Sequence, residues 1–79
     1  MVDKKTIAKN IGANLKKLRE RKGLSMQALA NLAEVEKSQI VRIENGQVDA
    51  KVSSLFILAG ALEVDVKEFL HEVPVKFIN

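Results

Sequence analysis

The stretch from Gly23 to Gly46, Gly-Leu-Ser-Met-Gln-Ala-Leu-Ala-Asn-Leu-Ala-Glu-Val-Glu-Lys-Ser-Gln-Ile-Val-Arg-Ile-Glu-Asn-Gly, limits the fold more than any other part of the chain. It reads as two short helices joined by a tight turn, the second closed by a glycine. Ser25 suits an N-cap, because its hydroxyl can accept from the free backbone N–H groups of the next turn. Ala28, Leu29, Leu32 and Ala33 follow at helical spacing and predict one apolar stripe. After the break at Glu34-Val35-Glu36, Ile40 and Ile43 build a second stripe, with Val35 filling the turn beneath it. Lys37, Ser38, Val41, Arg42 and Asn45 are left on the outward side. That face is polar and cationic with one apolar member, on a helix short enough to enter a DNA major groove.

Other helices flank this unit. Ile7, Ile11, Leu15 and Leu18 recur at spacings of four, four and three, which predicts a core-facing helix from Thr6, as N-cap, to Lys22, ended by Gly23. Gly12 inside it costs roughly 1 kcal/mol relative to alanine. Lys16, Lys17, Arg21 and Lys22 lie off the stripe, and cations near a helix C-terminus suit the dipole. A fourth helix is predicted from Val52 to Leu62, apolar at Leu55, Phe56, Leu58, Ala59 and Leu62 and nearly so all round, the pattern of central burial. Ile57 and Gly60 are free to lie at a contact between subunits. Asp65 caps a short fifth helix from Val66 to Leu70, whose Phe69 and Leu70 are expected to close the core.

Charge supports the same centre of gravity. Residues 1–45 carry ten Lys/Arg against five Asp/Glu, and residues 46–79 carry three against five, so a net charge of +3 conceals a basic half and an acidic half. Positive charge collects where a phosphate backbone would lie, although a solvated helix face explains charge alone. With 79 residues there is room for one domain and a small core. An apolar fraction of 47% argues against disorder. The chain has no cysteine and one histidine, His71, so neither a disulfide frame nor a thiolate metal site is expected. No run approaches the ~18 apolar residues that span a bilayer, and Met-Val-Asp-Lys-Lys-Thr does not lead into a signal-peptide core. A cytoplasmic domain is expected.

At these residues the chain resembles the helix-turn-helix of the phage repressor/Cro-like (XRE-type) bacterial transcriptional regulators. The matches are Gly23-Leu24-Ser25, Leu29-Ala30, Val35, Lys37-Ser38, Ile40 and Arg42-Ile43-Glu44-Asn45-Gly46, the last run being the most specific. The resemblance extends from about Ile11 to Leu70 and implies an all-α, compact five-helix fold. An arm at 1–5 and a domain at 6–70 are expected, with the helix-turn-helix at about 25–45 and an extended tail at 71–79. By resemblance Lys37, Ser38 and Arg42 make the main base contacts. Physically, Lys37 and Arg42 can donate to guanine O6/N7, Ser38 can accept or donate, and Val41 can rest on a thymine methyl. Gln27, Gln39, Asn45 and Lys51 are the phosphate-contacting candidates, and for Asn45 helix capping is an equal alternative. Arg19 occupies the place of an arginine that pairs with the glutamate of the Ile-Glu-Asn-Gly run, here Glu44, implying a structural ion pair between the first and third helices. Gly12 stands where relatives often have glycine, which suggests close packing at a helix crossing.

Departures from the pattern are also visible. Met26 stands where relatives place a phosphate-holding glutamine, with Gln27 one position later. Glu34 replaces the glycine of the turn, which predicts a slightly remodelled turn, because a non-glycine residue at positive φ is strained. Glu34 and Glu36 bring negative charge near the presumed DNA face. The loop from Gly46 to Lys51 offers only Lys51 to a phosphate, opposed by Asp49. Lys4 and Lys5 are a short basic arm on DNA or an untethered terminus.

From His71 onward the pattern runs out, and Pro74 stops any helix. Val73, Val75, Phe77 and Ile78 form a short strand-like stretch that must pair with something. It is a dimer contact, a tail folded back on its own domain, or a docking strand for another protein. Two functions follow. One is a sequence-specific regulator of double-stranded DNA, most often a repressor in this family, binding as a homodimer to a palindromic operator. The other is a protein-interaction module, such as an antitoxin or adaptor docking through its tail. No enzyme, metal, cofactor or small-molecule effector is expected, since there is no nucleophile–base set and no glycine-rich phosphate loop.

Overall fold

The computed structural model describes residues 2–74. Helix α1 spans Lys4–Arg21, α2 Met26–Ala33, α3 Lys37–Glu44 and α4 Val52–Leu62, and a 3-10 turn covers Val66–Leu70. Among the described residues there is no strand. The cap of α1 is Asp3 rather than Thr6: its carboxylate accepts from the Thr6 backbone N–H at 2.8 Å. That hydrogen bond holds the Asp3 carboxyl below its ordinary pKa. Lys4 and Lys5 therefore belong to the first helical turn and not to a separate arm. Ser25 caps α2 by accepting from Ala28 N–H at 3.0 Å, and Asp65 caps the 3-10 turn through Lys67 N–H at 3.0 Å.

All four helices end in one way, with a single residue in the left-handed region that lets the chain fold back onto the last carbonyls. After α1, Gly23 (φ 71) lets Leu24 N–H reach the Arg19 carbonyl at 3.1 Å. After α3, Gly46 (φ 68) lets Gln47 N–H reach the Arg42 carbonyl at 2.9 Å. The same residue is Glu34 (φ 56) after α2 and Glu63 (φ 57) after α4, where Val35 and Val64 make the equivalent bonds to Ala30 and Ala59. The turn between α2 and α3 is thus not remodelled. Glu34 takes the conformation that glycine usually takes and carries about 1–2 kcal/mol of strain.

Leu15, Leu29, Ile40, Leu58, Leu62 and Phe69 are sealed from solvent at the centre, one or more from every element. α1 packs on α3 and on the 3-10 turn, and α2 packs on both α3 and α4. Asn14 on α1 donates to the carbonyls of Phe69 and His71, each at 2.8 Å, and so pins the C-terminal turn to the first helix. Three expected core residues lie outside. Leu32 is 58% exposed, Phe56 59% and Leu70 49%. An all-apolar helix must still leave one side uncovered when it packs at the edge of a small domain, and α4 leaves Val52, Phe56, Ile57 and Gly60 facing out.

Candidate nucleic-acid interface

The aim of α3 is set from behind by α1. Arg19 Nε donates to Glu44 Oε2 at 2.6 Å and Nη2 donates to Oε1 at 3.0 Å, a bidentate pair. Its remaining Nη1 donates to the Leu24 carbonyl at 2.8 Å, so one guanidinium ties α1, the loop before α2 and α3 together. Both side chains are almost fully buried, with 9% of Arg19 and 2% of Glu44 exposed. The hydrogen bonds to Glu44 push the arginine pKa up, outweighing burial, which acts the other way. Planar fork-to-carboxylate pairing fixes direction as well as distance. Gly12 completes the clamp: a Cβ there would run into the Ile43 carbonyl oxygen and lie 2.7 Å from that of Glu44. The backbones of α1 and α3 touch at that point, and only glycine fits.

With its back fixed, α3 turns one side to solvent. Lys37, Ser38, Arg42 and Asn45 are exposed, and Val41 lies half-buried among them. The helix has 8 residues, about 12 Å at 1.5 Å per residue, and Lys37 and Ser38 lie at its N-terminal end with Arg42 one turn on. Glu36 is its N-cap residue but makes no side-chain capping bond. Glu34 and Glu36 are both exposed, one on either side of Val35.

The phosphate-contacting candidates separate. Gln27 is exposed beside the N-terminus of α2 and donates to Asn31 Oδ1 at 2.9 Å. Asn45 and Lys51 are exposed at the two ends of the loop after α3, Asn45 being the C-cap residue of α3. Gln39 differs. It is half-buried and its amide donates to Ser54 Oγ on α4 at 3.3 Å, so it links two helices rather than reaching outward. Nothing in the local pattern signals this, since the partner lies 15 residues away in another helix. Of the tail candidates, Val73 is half-buried just after the 3-10 turn, whereas Val75, Phe77 and Ile78 lie outside the described residues. Among the described residues no three His, Asp or Glu side chains gather as a metal site would require, and no helix is long and apolar enough to cross a membrane.

Two short helices joined by a left-handed turn, the second braced from behind and polar in front, define a helix-turn-helix nucleic-acid-binding domain. Residues 15–69 match the helix-turn-helix family model HTH_3, and the chain belongs to that family. The restriction–modification controller protein C.AhdI from Aeromonas hydrophila is 32% identical over 78% of this chain and 94% of its own, with a TM-score of 0.76. An HTH_3 family transcriptional regulator from Vibrio cholerae is 30% identical over 87% of this chain, at a TM-score of 0.83; the match spans 39% of that longer protein. The clp gene regulator ClgR from C. glutamicum is 25% identical, covering 85% of this chain and 87% of its own, at a TM-score of 0.80. Among curated proteins none matches. The class is that of DNA-binding transcriptional regulators.

Proposed function

We propose that the protein is a sequence-specific repressor that binds a palindromic operator as a homodimer. The observation that carries this reading is the exposed row Lys37, Ser38, Val41 and Arg42 on a helix whose rear is fixed by a buried ion pair. Side chains held within a narrow range of directions are what base-edge recognition needs, because each good bidentate contact discriminates by ~1–3 kcal/mol only when its geometry is met. Gln27, Asn45 and Lys51 flank that row and hold phosphates. Gln39 keeps α3 in register with α4 and is not assigned a phosphate.

The outward side of α4 supports the dimer part of this reading. Val52, Phe56 and Ile57 are exposed together along one helix, with the uncrowded Gly60 beyond them. A second copy covering this patch, helped by Val73, Val75, Phe77 and Ile78, would place two copies of α3 on one side of the duplex, with half-sites about 34 Å apart. The same patch also supports the alternative reading, in which an antitoxin or adaptor docks another protein. The two readings separate on salt, since DNA binding weakens steeply with ionic strength and apolar docking does not.

Selection of random duplex DNA with the purified protein tests the proposal, beside a Lys37→Ala/Arg42→Ala double variant. An enriched palindrome that the double variant fails to enrich is the expected outcome. No enrichment at low salt would remove the specific-regulator reading in favour of docking.

A further inference from the structure

A second cationic feature lies apart from the reading face. The first turns of α1 and the loop after α3 enclose an open cleft of about 470 Å³. Lys4, Lys5 and Lys9 line it on one side, and Asn45, Gln47 and Asp49 on the other. The walls are in tight contact at their base, where a Cβ on Gly46 would come within 2.6 Å of Lys9 Cγ and 2.9 Å of its Cα. Among the described residues none of the three lysines is in an ion pair. Three cations face one acid, Asp49, across the cleft, and Asp3 lies near enough for Lys5 and Lys9 to favour its charged form.

Helix stability does not explain these lysines. The first turn of α1 contains no acidic residue, and Lys4 and Lys5 sit at the positive end of the helix dipole, where cations are unfavourable. An anion in the cleft would reverse that penalty. Position says which anion. Asn45 belongs both to the outward side of α3 and to the cleft lining. In the DNA-binding reading above Asn45 holds a phosphate, which puts the cleft it lines beside the DNA backbone.

We propose that this cleft holds a backbone phosphate of the duplex, with Lys5 and Lys9 as its main ligands and Lys4 as a flanking cation. The proposal rests on the DNA-binding reading above and extends the footprint from α3 to the start of α1. The contacts are to phosphate, so they raise affinity without altering which bases are preferred.

The test measures duplex affinity against salt for the wild type and for Lys5→Gln/Lys9→Gln, which keeps most of each side-chain stem and removes the charge. Each phosphate contact contributes about 0.9 to the log–log slope. The slope of the double variant should therefore be shallower by about 0.9, one phosphate's worth, with the same enriched sequence. Lys5→Arg/Lys9→Arg should restore the wild-type slope. A control, Lys16→Gln/Lys17→Gln, removes equal charge farther along α1 and should leave the slope within about 0.3 of wild type. A wild-type slope in Lys5→Gln/Lys9→Gln, or an equal fall in the control, overturns the cleft while leaving DNA binding intact. A wild type that binds no duplex at low salt overturns both.

Discussion

Helices α3 and α4 follow one another in the chain and each leaves one side uncovered, yet they are held in unlike ways. α3 is fixed from behind by polar and close-contact devices: the Arg19–Glu44 fork and the backbone approach at Gly12. α4 is held chiefly by Leu55, Leu58, Ala59 and Leu62 in the core, with the Gln39–Ser54 hydrogen bond as its polar tie to α3. Their outer sides differ in the same sense, Lys37, Ser38 and Arg42 on one and Val52, Phe56 and Ile57 on the other. Apolar contact is non-directional, which is adequate for a helix that meets another apolar surface. A bidentate ion pair is directional, which is what a helix needs when its side chains must meet hydrogen-bonding partners at set positions. A buried ion pair gives little net stability over an apolar replacement, so orientation is the better account of its presence.

That contrast can be broken most directly at Glu44. Glu44→Ala leaves the Arg19 guanidinium buried without its carboxylate, and denaturant unfolding should show a loss of about 3–5 kcal/mol. A loss below about 1 kcal/mol would mean that the pair is solvated and does not aim α3. Glu34→Gly acts on the turn in front of α3 and should raise stability by about 0.5–1 kcal/mol, the relieved left-handed strain less the extra chain entropy of glycine. A fall in melting temperature would show that the Glu34 side chain makes a contribution outweighing its backbone strain. Phe56→Asp should change stability of the folded domain least, by no more than about 0.5 kcal/mol, because the ring lies outside the core. On the proposed homodimer, sedimentation should nevertheless show a dimeric wild type and a monomeric variant; a variant dimer that survives would move the interface away from α4.

The parts of this fold that were legible from sequence are those decided within a few residues. Ser25 and Asp65 cap where they stand because a side-chain oxygen meets an N–H two or three residues on. The stops at Gly23 and Gly46 are equally local. The start of α1 was a close contest, and Asp3 takes it from Thr6 by accepting from the N–H of Thr6 itself. The outward row on α3 follows from helical spacing, since Ile40 and Ile43 fix the side that is buried. What could not be read was which face of a wholly apolar helix the domain would cover. Hydropathy places Phe56 and Leu70 inside, whereas their exposure depends on how α2 and the 3-10 turn dock against α4. Gln39 escaped for a related reason: its partner is brought near only by the packing of α3 and α4.

One further consequence attaches to the guanidinium of Arg19. Its contacts reach the Leu24 carbonyl and Glu44, while its own carbonyl accepts from Leu24 N–H. Three segments separated along the chain thus share a single knot. Partial opening of a small protein proceeds where few buried contacts must be lost, and withdrawing α3 alone would strand a charge in the interior. On the proposed reading, the helix that meets DNA is therefore not a loosely attached probe, and its backbone amides should be among the slowest to exchange with solvent. If the proposed dimer on a palindromic operator holds, adaptation to that operator comes from the side chains of α3 and from the spacing of the two copies, rather than from bending of the helix itself.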